Sequence, residues 1–201
     1  MKSNANRESV LQKNQSYGTE ITDLTVEGNG VCHIQGMTVF VPHTAPGDQV
    51  RVKIVKVCKQ YAFGIIEEME TPASCRIESD CPYPACGGCT FRHISYAAEL
   101  QWKEKLVQDR IGKLHPEFLP IVGGKQRSHY RNKAQYPVAV EADGKPVCGF
   151  YAKRSHRVIP VRDCQLQPVL FQQVLDVILQ YVAEKSISVY QEGTGTGILR
   201  H

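Results

Sequence analysis

No run of about eighteen apolar residues occurs anywhere in the chain, which argues against a membrane-spanning helix. The opening stretch, MKSNANRESVLQKNQ, lacks the apolar segment of a secretory signal. A cytoplasmic location with no membrane partner is therefore expected. Eight cysteines in 201 residues are too few for a small secreted disulfide scaffold. In a reducing compartment, clustered cysteines more often hold metal than bridge each other. No repeat of fixed period is visible.

What is present is a globular composition, 42% hydrophobic and 22% charged, enough apolar side chain for one or two domain cores. The net charge of +4 conceals a gradient. Residues 1–80 carry 8 Lys/Arg against 10 Asp/Glu, and residues 81–201 carry 16 against 10. An excess of cations in the second part suits a polyanionic partner, provided the cations cluster.

Residues 1–16 are polar and aperiodic and are expected to form a mobile tail. From residue 17 to 72 short β-type runs alternate with turn signals: EITDLTVE, VCHIQ, MTVFV, QVRVKIVKV and YAFGIIEE. In the fourth run Val50, Val52 and Ile54 alternate with Arg51 and Lys53, one face apolar and the other basic. Five short strands without an intervening helix predict a small barrel of the OB kind. Residues 73–201 predict a second, α+β domain with antiparallel strands and two main helices. The first helix spans 95–114, with Tyr96, Leu100, Val107, Ile111 and Leu114 near helical spacing. Strands follow in YRNKAQYPVAV, KPVCGFYAKRS and RVIPVRDCQL, with ADGK at 142–145 as a hairpin turn. The second helix has Pro168 in its first turn and Leu170, Val174, Ile178 and Val182 as its buried stripe, and SISVYQE reads as a last strand.

Cys81, Cys86 and Cys89 stand in CPYPACGGC, where CxxC turns two thiols toward one centre and Gly87 and Gly88 let the backbone wrap closely. Three clustered cysteines plus a distant fourth are a common way to hold an iron–sulfur cluster, and Cys164 in VRDCQLQP is the candidate fourth ligand. A Cys3His zinc site completed by His93 is the alternative. Cys32, Cys58 and Cys148 lie in strand patterns and read as core residues, and Cys75 reads as a bystander.

Taken together, CPYPACGGCTFRHISYAAELQWKEKLV, HYRNKAQYPV, GFYAKRSH and DCQLQP resemble the 5-methyluridine RNA methyltransferases, in particular the 23S rRNA uracil-5-methyltransferases. The resemblance covers essentially the whole chain. It implies that GNGVCHIQGMTVFVPHTAPGDQVRV belongs to a TRAM domain and that Cys81, Cys86, Cys89 and Cys164 ligate a [4Fe-4S] cluster. Family members often space the first two ligands one residue further apart, so a tighter loop is expected here.

Two segments are basic without an acid. Residues 125–133 hold Lys125, Arg127, Arg131 and Lys133, and residues 153–162 hold Lys153, Arg154, Arg157 and Arg162. Tyr130, Tyr151, His129 and His156 are interleaved, which suits RNA because unstacked bases sit on such planes while cations meet phosphates. Arg127, Tyr130, Arg131, Lys133, Arg154 and Arg157, with Arg51 and Lys53 from the barrel, are the candidate RNA contacts. GTGTG at 193–197 is rejected as a phosphate cradle, since such a loop must open a helix.

Methylation at carbon 5 of uracil needs a thiolate to add at carbon 6, a base, and S-adenosylmethionine as methyl donor. The resemblance assigns these to a C-terminal Rossmann-like domain that the 201 residues do not include. The expectation is therefore the N-terminal, RNA-recognising half of such an enzyme, monomeric and inactive alone. The competing expectation is a stand-alone, cluster-stapled RNA-binding module.

Overall fold

The computed structural model describes residues 11–115 and 117–201. The chain divides into two compact units: one runs to Ser79 and resumes over Thr90–Ile121, and the other comprises Asp80–Cys89 and Val122–His201. The expected boundary after residue 72 is thereby corrected. The first helix belongs with the barrel, and only the short cysteine loop is given to the second unit.

The first unit is a six-stranded sheet. Its strands are β1 (Ser16–Glu20), β2 (Asp23–Leu24), β3 (Gly30–Ile34), β4 (Met37–Val41), β5 (Gln49–Val57) and β6 (Tyr61–Thr71), in the order β1-β5-β6-β4-β3-β2. Six strands replace the expected five because the first run bends at Ile21 and Thr22. There the Ile21 amide donates to Asp48 O (2.9 Å) and the Thr22 amide to Val31 O (2.8 Å). One stretch of chain thus pairs with β5 through β1 and with β3 through β2, so both ends of the sheet meet in a single bent strand. The sheet curls into a partly open, OB-like barrel, which leaves little free edge for another strand to add to.

Alternation sorts the side chains. Val50, Val52 and Ile54 are fully buried, while Arg51 between them is exposed, as the run QVRVKIV predicts. They join Ile21, Cys32, Ile34, Val39, Val41 and Ala62 in one core. Gly64 is required there, because a Cβ would collide with Val52 inside the barrel. Leu11 also belongs to that core at 0% exposure, and Asn14 and Gln15 exchange backbone hydrogen bonds with Ile54 (2.8 and 2.9 Å). The expected tail of residues 1–16 is therefore wrong for residues 11–16, where one buried leucine anchors the chain; residues 1–10 lie outside the described residues.

Helix α1 (Tyr96–Ile111) opens with Ser95 as its cap, the side-chain oxygen accepting from the Ala98 amide at 3.3 Å. It ends at Ile111, three residues before the expected end, with Gly112 as its C-cap, and Leu114 is 85% exposed. Glu99 and Lys103 pair across one turn as their spacing predicts. The helix meets the barrel through Lys105, whose ammonium lies 3.1 Å from Asp23.

The second unit holds a three-stranded antiparallel sheet, β7 (Val138–Val140), β8 (Pro146–Tyr151) and β9 (Val158–Pro160), and helix α2 (Val169–Glu184). The hairpin at 142–145 is present: Glu141 donates to Lys145 O at 3.0 Å, and Gly144 adopts φ +85°. Residues 130–137 are not strand, because the chain there follows the segment before α2 instead: the His129 and Arg131 amides donate to Gln165 O and Leu166 O (2.8 and 2.9 Å). SISVYQE forms only isolated bridges, Val189 to Leu199 and Gln191 to Thr196.

The expected stripe on α2 is also corrected. Val182 is buried, but Leu170, Val174 and Ile178 are 61%, 49% and 45% exposed. Phe171, Leu175 and Leu179 are more enclosed. A helix that is apolar on nearly every side does not reveal by spacing which stripe faces inward. Pro168 stands at the cap position, just outside the first turn. Among the described residues no helix is long and apolar enough to cross a membrane.

Candidate functional site

Cys81, Cys86, Cys89 and Cys164 line one cavity of about 40 Å³ in the second unit, together with Tyr83, Phe150, Val161 and Leu166. The local sequence builds this wall. The Cys86 amide closes a turn on Tyr83 O (3.0 Å), and the Gly87 amide donates to Tyr151 O (2.9 Å). A side chain at Gly87 would press to 2.8 Å from the Lys153 nitrogen and the Tyr151 oxygen, so the loop lies against β8 only because that residue is glycine. The Gly88 amide donates to Cys86 Sγ at 3.4 Å.

Tyr83 joins the two halves of the site. Its hydroxyl accepts from the Arg162 and Asp163 amides (3.0 and 3.4 Å), immediately before Cys164. Burial pushes the Cys86 thiol above its ordinary value; the Gly88 amide opposes this, and the neighbouring Cys81 and Cys164 add to it. Tyr136 is pushed up to about 12 by burial and then by Cys164 and Cys148.

Four thiols and an apolar wall suit a sulfur-rich inorganic group. Gln167, in the same wall and 3% exposed, has both its side-chain nitrogen and its side-chain oxygen without a hydrogen-bond partner. Inorganic sulfide would supply the acceptor that this buried donor lacks. Among the described residues, however, no three His, Cys, Asp or Glu side chains are set to hold a single metal ion. The Cys3His alternative is not assembled. His93 is in the first unit with Nε2 3.1 Å from Thr44 O, and burial, partly opposed by that carbonyl, lowers its pKa.

None of the other four cysteines lines the cavity. Cys32 and Cys148 are buried, Cys58 and Cys75 half-buried. Burial raises the Cys32 thiol to about 11 against a hydrogen bond with Thr19, which suits a core residue and not a thiolate ligand.

Of the candidate RNA contacts, Arg127, Tyr130, Lys133, Arg154 and Arg157 are exposed on the second unit. Arg131 is exposed and also lines the cysteine cavity. The interleaved imidazoles are engaged: His129 Nδ1 is 2.7 Å from Gln167 O, and His156 Nδ1 is 2.8 Å from Glu192. His129 and Arg162 line one further cavity, of about 270 Å³. On the barrel, Arg51 is paired with Glu70 at 3.2 Å and Glu68 at 3.8 Å, which cancels much of its charge; Lys53 is half-buried. Gly195 and Gly197, both at positive φ, shape a turn closed by the Gln191 amide on Thr196 O, with no helix after it.

The TRAM domain family matches residues 12–66, the stretch that forms the barrel from its first anchored residues to β6. The barrel is a TRAM domain. The barrel's relatives extend past it into the second unit. An uncharacterized RNA methyltransferase of Listeria monocytogenes serotype 4b is 39% identical over 197 residues, covering 96% of this chain and 43% of that protein. One of Oceanobacillus iheyensis is 40% identical over 196 residues, covering 95% and 42%. The chain spans less than half the length of the curated relatives it matches. In fold, it is similar to the crystal structure of the tRNA (uracil-54, C5)-methyltransferase of Pyrococcus abyssi in complex with S-adenosyl-L-homocysteine. The TM-score is 0.64 at 19% identity, over 91% of this chain and 41% of that one. Both matches extend over the barrel and the second unit.

Sequence reasoning missed Tyr83 and Gln167. Tyr83 sits inside CPYPAC, where the Pro residues draw attention as loop formers, and nothing local marks its hydroxyl as a clasp for a segment about eighty residues away.

Proposed function

We propose that this chain is the RNA-recognising part of an S-adenosylmethionine-dependent RNA uracil-5-methyltransferase of the cytoplasm, with 23S rRNA as substrate. The observation that carries the reading is the 38–40% identity to RNA methyltransferases along nearly the whole chain. The TRAM domain and the exposed cations of the second unit support an RNA partner. Lys133, Arg127, Arg154 and Arg157 would meet phosphates and Tyr130 a base, so that recognition is largely electrostatic and salt-dependent.

In the same reading Cys81, Cys86, Cys89 and Cys164 hold a [4Fe-4S] cluster. When bound, the cluster supplies a cross-link between the CPYPACGGC loop and the segment of Cys164, which restricts the unfolded chain. A four-iron cluster carries one thiolate on each iron, so its ligands stand further apart than those of a single ion. Thiols that share a cavity without forming a single-ion site are compatible with it. Methyl transfer itself needs a nucleophilic cysteine with a partner base and a cofactor-binding strand–glycine loop–helix unit. None is assigned within these residues, and the chain by itself, a monomer, is expected to bind RNA without methylating it.

The test is incubation of the 201-residue chain with unmodified 23S rRNA, with tRNA as comparison, and methyl-labelled S-adenosylmethionine. Salt-dependent binding to the rRNA fragment, weakened by Lys133→Ala, without labelled 5-methyluridine, is the expected result. Labelled product would place a catalytic site within this chain, and no RNA binding would overturn the reading.

A further inference from the structure

Gln167 stands in the walls of two cavities. One is the cysteine cavity; the other, of about 270 Å³, is also lined by His129, Tyr136, Arg162 and Phe171. The backbone of Gln167 is fixed at both ends: its amide donates to Cys164 O at 3.0 Å, and its carbonyl accepts from His129 Nδ1 at 2.7 Å. The side chain is 3% exposed, yet neither its oxygen nor its nitrogen has a hydrogen-bond partner. Buried amides are seldom left so, because desolvation without a replacing bond is costly. A side-chain amide carries an acceptor oxygen and two donor hydrogens, one on the oxygen's side and one pointing away. The far hydrogen can serve the cysteine cavity, which leaves the oxygen and the near hydrogen as a donor–acceptor pair for the larger one.

The larger cavity has the walls of a site for a flat ring. Tyr136 is braced by Phe150, their centroids 4.9 Å apart. His129 is pinned through Nδ1 and through its amide on Gln165 O (2.8 Å), at φ +55°, a conformation uncommon outside glycine. Rings held in this way lose little freedom when a ligand stacks on them. The exposed Arg162, Asp163 and Val169 also line this cavity, so it opens to the surface. Water could satisfy the amide in a cavity of this size, but three rings offer water nothing.

From this juxtaposition we propose that the cavity takes one unpaired RNA base, its ring against Tyr136 and Phe171, its Watson–Crick edge on the Gln167 amide and its phosphate beside Arg162. Every RNA base carries a donor next to an acceptor on that edge, and in a duplex the edge is already paired. Gln167 therefore tells an extruded base from a paired one without choosing its identity. The rings and the cation favour a nucleotide over a peptide group, which would offer the same donor and acceptor. The assignment rests on the RNA reading above and deepens it, giving the second unit a contact to a base in addition to its contacts to phosphates.

The experiment uses the 201-residue chain and three probes: a single-stranded RNA of about twelve nucleotides, the same RNA annealed to its complement, and free uridine. Gln167→Met keeps the length of the side chain and removes both hydrogen-bonding atoms. It is expected to weaken single-strand binding about tenfold and to leave duplex binding unchanged. Phe171→Leu, which removes a ring from the larger cavity but touches no wall of the cysteine cavity, should show the same split. It carries the test by itself if Gln167→Met loses iron or fails to fold, as iron content and thermal unfolding would show. Equal losses for single strand and duplex, or no loss for either, overturn the proposal. Uridine that binds the parent but not the variants, with RNA affinity the same in all, would give the cavity to a free nucleoside and overturn it too. If single-stranded RNA binds both variants fully but is lost with Lys133→Ala, only this pocket fails; if the parent binds no RNA, the functional reading fails with it.

Discussion

The fully buried carboxylate of Asp48 is gripped by Arg76 at two points, Nε to Oδ1 and Nη2 to Oδ2, each at 2.7 Å. The Ala73 and Ala45 amides donate to the same two oxygens (2.9 and 2.6 Å), and Arg76 Nη2 also donates to His43 O at 2.8 Å. The chain leaving β6 is thereby tied to the loop between β4 and β5. Burial alone would raise the pKa of Asp48, but the Arg76 guanidinium and the two amides outweigh it and hold the carboxyl below its ordinary 3.8.

Arg76→Ala should therefore destabilise the protein by about 3 kcal/mol near neutrality, because it strands a buried charge. The carboxyl of Asp48 titrates lower in the folded chain than in the unfolded one. Its contribution is complete above the unfolded value, about 3.8, and is lost as pH falls through the lower folded value. Denaturant titrations of parent and variant should differ most near pH 7 and converge in strong acid. A difference that stays constant into acid would contradict the assignment.

Leu11 lies ahead of the first strand yet has no exposed surface. Leu11→Ala should cost about 3 kcal/mol through lost burial and the cavity it leaves. Lys13→Ala, at an exposed position two residues on, should change stability by no more than about 0.5 kcal/mol. Chemical unfolding of the two variants checks whether the barrel begins where its core begins.

If the four thiols of the second unit hold an iron–sulfur cluster, anaerobically purified protein will be brown, with thiolate-to-iron absorption. Cys164→Ser should lose iron and solubility, while Cys75→Ser, outside the cavity, should keep its colour. Tyr83→Phe removes the acceptor of the Arg162 and Asp163 amides and should lower iron retention without abolishing it. A colourless protein with one equivalent of zinc would refute the cluster.

Much of the barrel was legible because its signals are local. The alternation of Val50, Val52 and Ile54 with Arg51 needs only the pleat of a strand to become an inside and an outside, and Ser95 caps α1 through an atom three residues from its partner. Cys81, Cys86 and Cys89 drew attention by their spacing and Cys164 as a candidate fourth to join them, which the resemblance also implies; all four line one cavity. The bend at Ile21 and the burial of Leu11 were not legible, since each depends on partners, Asp48, Val31 and the barrel interior, that the chain brings up only by folding.

The sequence by itself determined which residues alternate, where the helices start, and that four thiols and two basic segments belong to the second part of the chain. Tertiary structure alone decided which face of α2 turns inward, that Arg51 is cancelled by Glu68 and Glu70, and that Phe40, Tyr61 and Phe63 meet on one outer face. The reason is physical. Periodicity records only the repeat of a helix or strand along its own axis, whereas charge cancellation and ring contact depend on strand register and on which elements lie side by side.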